Sequence, residues 1–121
     1  MAFKYLNLNP LDKHEEDCVT RAISLASGYS YAEVQDKLYY ISELLDCEKL
    51  CVCCYQHLLD DVFKYDRLPS RGRTVGEVAR DYDDCVLLVR IDGHLTCVVY
   101  GVIRDLWDCS DRYADIIWLI E

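Results

Sequence analysis

Cys18 is placed where a helix should begin, directly behind an aspartate that can cap it, in the stretch Glu16-Asp17-Cys18-Val19-Thr20-Arg21-Ala22-Ile23. First-turn N–H groups and the positive end of a helix dipole favour the anionic, nucleophilic form of a thiol. A thiol nucleophile also needs a base within hydrogen-bond reach, and the base needs a third group to hold its ring. The chain has three histidines. His14 lies in a polar lead-in and His57 in an apolar helical pattern. His94 follows an Asp92-Gly93 turn and opens a strand, a rigid mounting suited to general-base work. The hairpin after His94 supplies carboxylates. With Tyr100-Gly101 as a two-residue loop, Val99 pairs with Val102, Thr96 stands opposite Asp105 and His94 opposite Trp107. Asp105 then shares a face with His94, while Asp108 reaches that face only if the register shifts by one residue. Asp105 is preferred and Asp108 kept. The competing reading is structural, with Cys18 a small buried hydrophobe and the two aspartates solvated carboxylates at a strand end.

These side chains need elements to position them. From Cys18 the apolar residues Val19, Ala22, Ile23, Leu25 and Ala26 recur at helical spacing until Ser27-Gly28, where glycine supplies a stop. Ser30 with Glu33 forms a capping-box pair opening a second helix, with Val34, Leu38, Ile41 and Leu45 on its apolar face. Thr74 with Glu77 is a second such pair, opening a short helix up to Asp81. Past residue 84 the apolar period changes. Cys85 to Ile91, Leu95 to Tyr100, Val102 to Trp107 and Ile116 to Ile120 are short β-branched or aromatic runs separated by Asp92-Gly93, Gly101 and Ser110-Asp111. Helices first and strands afterwards predict an α+β fold, with the helices on one face of a four-stranded, mainly antiparallel sheet built from residues 85 to 120. Residues 1–16 read as an irregular lead-in, from which Asn7, Asn9 and His14 could fold back near Cys18.

At 121 residues, 52% of them hydrophobic, the chain fits a single domain, 1–121, with a modest core. A formal charge of −9 argues against nucleic acid or an anionic membrane as partner, since both demand cationic surface. No apolar run approaches the roughly 18 residues of a membrane span, and the first residues lack the apolar core of an export signal. A cytoplasmic protein with reduced thiols is expected.

Eight cysteines need assignment. Cys85 and Cys97 sit within apolar strand segments and are expected in the core. The dense segment from Cys47 through Cys51, Cys53 and Cys54 to His57 invites a zinc reading. Its run into a helical pattern through Tyr55, Leu58, Leu59, Val62 and Phe63 favours a cysteine-rich helix edge instead, so no metal and no cofactor is expected. The segment Lys64 to Arg73 reads as a solvated, locally basic loop, with a substrate-facing lip as the weaker alternative.

Three blocks, Asp17-Cys18-Val19-Thr20-Arg21-Ala22, Gly93-His94-Leu95-Thr96-Cys97-Val98-Val99 and Asp105-Leu106-Trp107-Asp108-Cys109, together resemble the Cys, His and Asp blocks of the papain-like cysteine peptidase superfamily, in its compact bacterial and phage form. The likeness spans roughly residues 9 to 118. It implies a nucleophile at the start of a central helix packed on an antiparallel sheet. By the same resemblance Cys18 would be nucleophile, His94 general base and acid, and Asp105 or Asp108 the orienting carboxylate. A hydrolase acting on a peptide or protein substrate is what this implies. The family also places a Gln or Asn several residues before the cysteine for the oxyanion. Here those positions are His14, Glu15, Glu16 and Asp17, with Asn9 the nearest amide, so that role is unassigned. The other class of function on such a scaffold is a non-enzymatic binding module, phage or bacterial, that recognises a protein partner.

Overall fold

The computed structural model describes residues 3–11, 17–48 and 50–121. In chain order the elements are β1 (Phe3–Tyr5), α1 (Cys18–Ser27), α2 (Tyr31–Leu45), α3 (Val52–His57), β2 (Asp66–Leu68), α4 (Val75–Asp81), β3 (Val86–Ile91), β4 (His94–Val99), β5 (Val102–Asp105) and β6 (Ile116–Leu119); a π-helical turn, Leu58–Val62, continues α3. The helix boundaries follow local chemistry. Ser30 and Glu33 close a reciprocal capping box at α2, as Thr74 and Glu77 do at α4. Gly28 ends α1 at φ 84, its N–H bonded to the Ser24 carbonyl, a left-handed conformation that costs glycine little.

The sheet has six strands in the order β1-β5-β4-β3-β6-β2, which corrects the expected four. The four anticipated strands form its centre, and each edge has recruited a three-residue strand. β1 pairs parallel to β5, with Phe3 opposite Ile103, and β2 pairs antiparallel to β6, with Arg67 opposite Trp118. The sheet is therefore mixed. Part of the expected irregular lead-in is strand β1, and part of the expected basic loop is strand β2. Both cover edges that would otherwise present unpaired backbone.

The expectation of helices on one face is also corrected, because both faces are covered. Val86 and Leu88 of β3, Leu95 and Cys97 of β4, and Trp118 pack in one apolar cluster with α1, α2 and α3. Leu87, Val89 and Ile91 point the other way, into a second cluster with Val75, Val78 and Ala79 of α4 and with Cys109 and Ala114. That alternation makes β3 a near-continuous apolar run, the pattern of a strand buried on both sides. On the helical side Val34 and Leu38 of α2 are fully buried, each worth about 1.5–3 kcal/mol of transfer free energy. Leu45, expected on the same face, is 42% exposed at the frayed end of α2. Cys97 is in the core as expected, whereas Cys85 is only half-buried, with its thiol donating to the Asp84 carboxylate. Among the described residues no helix is long and apolar enough to cross a membrane.

Candidate functional site

Cys18 is the first residue of α1, and Asp17 precedes it as the N-cap residue without giving a side-chain cap. The Asp17 carboxylate is turned elsewhere. It accepts from Arg21 Nε at 2.6 Å, from the Tyr31 hydroxyl at 2.8 Å and from the Asn9 amide at 2.9 Å. The first-turn N–H groups are thus left without a carboxylate cap beside the half-buried sulfur. Burial resists the Asp17 charge, but these three donors outweigh it and hold the carboxyl below 3.8. The acidic residue next to the thiol therefore carries a matched charge. Glu15, Glu16 and His14 lie outside the described residues.

The hairpin carries the second and third groups. Val99 pairs with Val102, Val98 with Ile103 and Cys97 with Arg104, the register that a two-residue Tyr100-Gly101 loop demands. Both loop residues have positive φ, 48 and 81, as a type I′ hairpin turn requires. That register sets Asp105 beside His94, and the His94 Nε2 to Asp105 Oδ2 distance is 2.6 Å. Nδ1 of the ring is then the atom left to face the thiol. Asp105 is 4% exposed, and its other oxygen accepts from the Leu106 N–H at 2.7 Å and faces Arg21 Nη1 at 3.5 Å. Asp108 is not brought to the ring. It is exposed and accepts from the Ser110 N–H within its own turn.

The electrostatics of the three groups are interlocked. Burial alone would push the His94 pKa down, but the Asp105 carboxylate and then the Cys18 sulfur override it and hold the ring up at about 9. Burial alone would push the Cys18 thiol up. Hydrogen bonding from the His94 ring, followed by the Leu95 backbone N–H and the positive charges of His94 and Arg21, brings it below the ordinary 9.0. Asp105 is held below 3.8, because hydrogen bonding and charge from His94 outweigh its burial. Each charge favours the others, so the set titrates as a unit. The arrangement favours a thiolate beside an imidazolium.

Two contributors were not singled out in the sequence. Arg21, 8% exposed, bridges the Asp17 and Asp105 carboxylates and so ties the start of α1 to the end of β5. Its spacing of four from Asp17 is the signal that could have found it. Trp107 stands with its ring 5.0 Å from that of His94 and 39% exposed, covering the imidazole from the solvent side. Asn9, the nearest upstream amide, is bound to Asp17, which places it in support of the helix start.

The site opens on a groove of about 840 Å³ lined by Cys18, His94 and Trp107 together with Leu50, Val52 and Tyr55. Its lining is mixed, the apolar residues standing with Arg21, Glu48 and Arg90. Among the described residues two groups each bring their metal-ligating atoms within 4.8 Å of one another, His94 with Asp105 and Cys109, and Cys47 with Cys51 and Cys53. In the first, burial pushes the Cys109 thiol up to about 12, so it stays protonated behind Asp105. The second lies at the cysteine-rich helix edge that was expected, with Cys51 at the N-cap of α3 and Cys53 and Cys54 in its first turn. Cys54 is buried and donates to the Leu38 carbonyl, and His57 pairs with Asp61. In the basic segment Arg67 is bound to Asp60 and Arg73 to Asp81.

No family model, curated protein or solved structure matches this chain.

Proposed function

We propose that the protein is a cysteine-dependent acyl-transfer enzyme of peptidase or amidase type, with a papain-like arrangement of Cys18, His94 and Asp105. The observation that carries this reading is the His94 ring bonded to the buried Asp105 carboxylate at 2.6 Å, with Cys18 and His94 both lining one groove and the ring lowering the pKa of the Cys18 thiol. In the proposed reaction the Cys18 thiolate attacks the carbonyl carbon of a peptide or related amide. A C–S bond forms, and the electron pair of the C=O moves onto oxygen. The α1 N-terminus, beginning with the Cys18 N–H, is where that oxyanion is stabilised. His94 gives its proton to the departing amine as the C–N bond breaks. Water then attacks the thioester, His94 takes the proton from that water, and the thiolate leaves to restore the starting pair. Asp105 keeps the ring oriented throughout, and Arg21 positions Asp105.

Turnover of a peptide and amide panel by the parent protein, abolished in Cys18→Ala, is the expected result. Saturable binding of a peptide with no turnover, unchanged in Cys18→Ala, supports the second reading, a binding module on the same scaffold. What favours that reading is the apolar lining at Leu50, Val52 and Leu106 together with exposed Trp107, a surface able to hold a protein segment without chemistry.

A further inference from the structure

Cys47, Cys51 and Cys53 bring their sulfurs within 4.8 Å of one another across the turn between α2 and α3. Each backbone position is fixed separately. Asp46 turns the chain at φ 53 after α2, and the Cys47 N–H then bonds to the Ser42 carbonyl at 3.1 Å. The Cys51 N–H bonds to the Glu48 carbonyl at 3.1 Å, and Cys53 lies in the first turn of α3. Packing does not account for the convergence. Cys54, Cys97 and Cys109 are fully buried and serve as small core residues, whereas Cys53 is exposed and Cys47 and Cys51 are only half-buried. All three are free thiols.

Three thiolates on a tetrahedral zinc ion, at about 2.3 Å each, stand about 3.8 Å apart. Small side-chain rotations bring sulfurs at the present separation to that spacing. We propose that Cys47, Cys51 and Cys53 form a three-thiolate zinc site whose fourth place is taken by water on the exposed side of Cys53. An all-sulfur donor set selects soft or borderline cations such as zinc over magnesium or calcium, which demand oxygen. Three thiolates so close repel one another, and a doubly charged ion reduces the cluster to a single negative charge. The position in the fold gives the ion a task. Cys51, with Leu50, Val52 and Tyr55, lines the same groove as His94 and Trp107. Zinc would tie the end of α2 to the start of α3 and hold that lining in place.

The test is zinc titration of the reduced, metal-free full chain carrying Cys18→Ser, which removes the proposed nucleophile and makes the result independent of any acyl transfer. Cobalt(II) serves as the optical probe. One zinc per chain, sulfur-to-cobalt charge-transfer absorption, and slower hydrogen exchange in the Cys47 to His57 segment are expected. Adding Cys51→Ser or Cys53→Ser should weaken zinc binding by at least about tenfold, since even partners outside the coordination sphere are worth that much. Cys85→Ser should leave it unchanged. Absence of stoichiometric uptake, full uptake in Cys53→Ser, whose exposed side chain is not needed for folding, or loss of uptake in Cys85→Ser would overturn the proposal.

Discussion

At His94 two neighbours act in the same direction. Asp105 on one side of the ring and Cys18 on the other both favour the imidazolium, lifting it to about 9, and the imidazolium in turn favours the thiolate. Cys18 should therefore react with iodoacetamide at neutral pH ahead of Cys85 and Cys97. Burial pushes Cys97 up to about 12, and the neighbouring Asp84 joins burial in raising Cys85; labelling mapped by mass spectrometry checks the order. Asp105→Asn should slow Cys18 labelling, whereas Asp108→Asn should leave it unchanged, because Asp108 is bound within its own turn. Arg21→Ala removes a donor shared by two buried carboxylates, Asp17 and Asp105, which keep their other partners, and should cost about 1–3 kcal/mol, read from urea unfolding. The preference for Asp105 was legible because a two-residue loop fixes the register of a hairpin by counting outward. Arg21 was not, because its partner in β5 is 84 residues away and only folding brings the two carboxylates to one guanidinium.

Among the elements, those with strong local signals were legible and those without were not. Both capping boxes stand where a Ser or Thr precedes a Glu by three, and Gly28 ends α1. A Cβ at position 28 would meet nothing within 4 Å. Gly28→Ala should therefore cost only the backbone penalty of a left-handed alanine, about 1–2 kcal/mol, measured as a shift of the urea midpoint without change of slope. Strands β1 and β2 escaped notice for a different reason. Three residues are too few to show a period, and each is a strand only because a distant partner, β5 or β6, offers an unpaired edge. The same long-range closure explains the second apolar cluster. The apolar face of α4 was visible in the sequence, but which side of the sheet it covers was not.

Over the whole molecule, the groups at the site make stability depend on pH in opposing ways. Asp17 and Asp105 have folded pKa values below the 3.8 of an ordinary aspartate. Their contribution is complete above that value and is lost as pH falls through the folded ones. His94 runs the other way, from 6.5 up to about 9. Its contribution is complete below 6.5 and is lost as pH rises through about 9. Cys18, lowered from 9.0, regains stability over part of that alkaline range. Urea midpoints should therefore fall steeply on acidification below 3.8 and only gently on the alkaline side. Replacing Cys18 by Ser removes one of the two groups that raise His94, so the alkaline loss of stability should end at a lower pH than in the parent protein.

Coupling between Cys18 and His94 is what the proposed chemistry rests on, and the pH profile of Cys18 alkylation measures it directly. In the parent protein the rate should reach its plateau below the pH at which an ordinary thiol ionises. In His94→Ala the profile should move to higher pH and the neutral-pH rate should fall, because without the ring the burial of the Cys18 thiol pushes it up and the thiolate is the reactive form. An unchanged profile in a folded His94→Ala protein would mean that the two residues act separately, and the enzymatic reading would give way to the binding module.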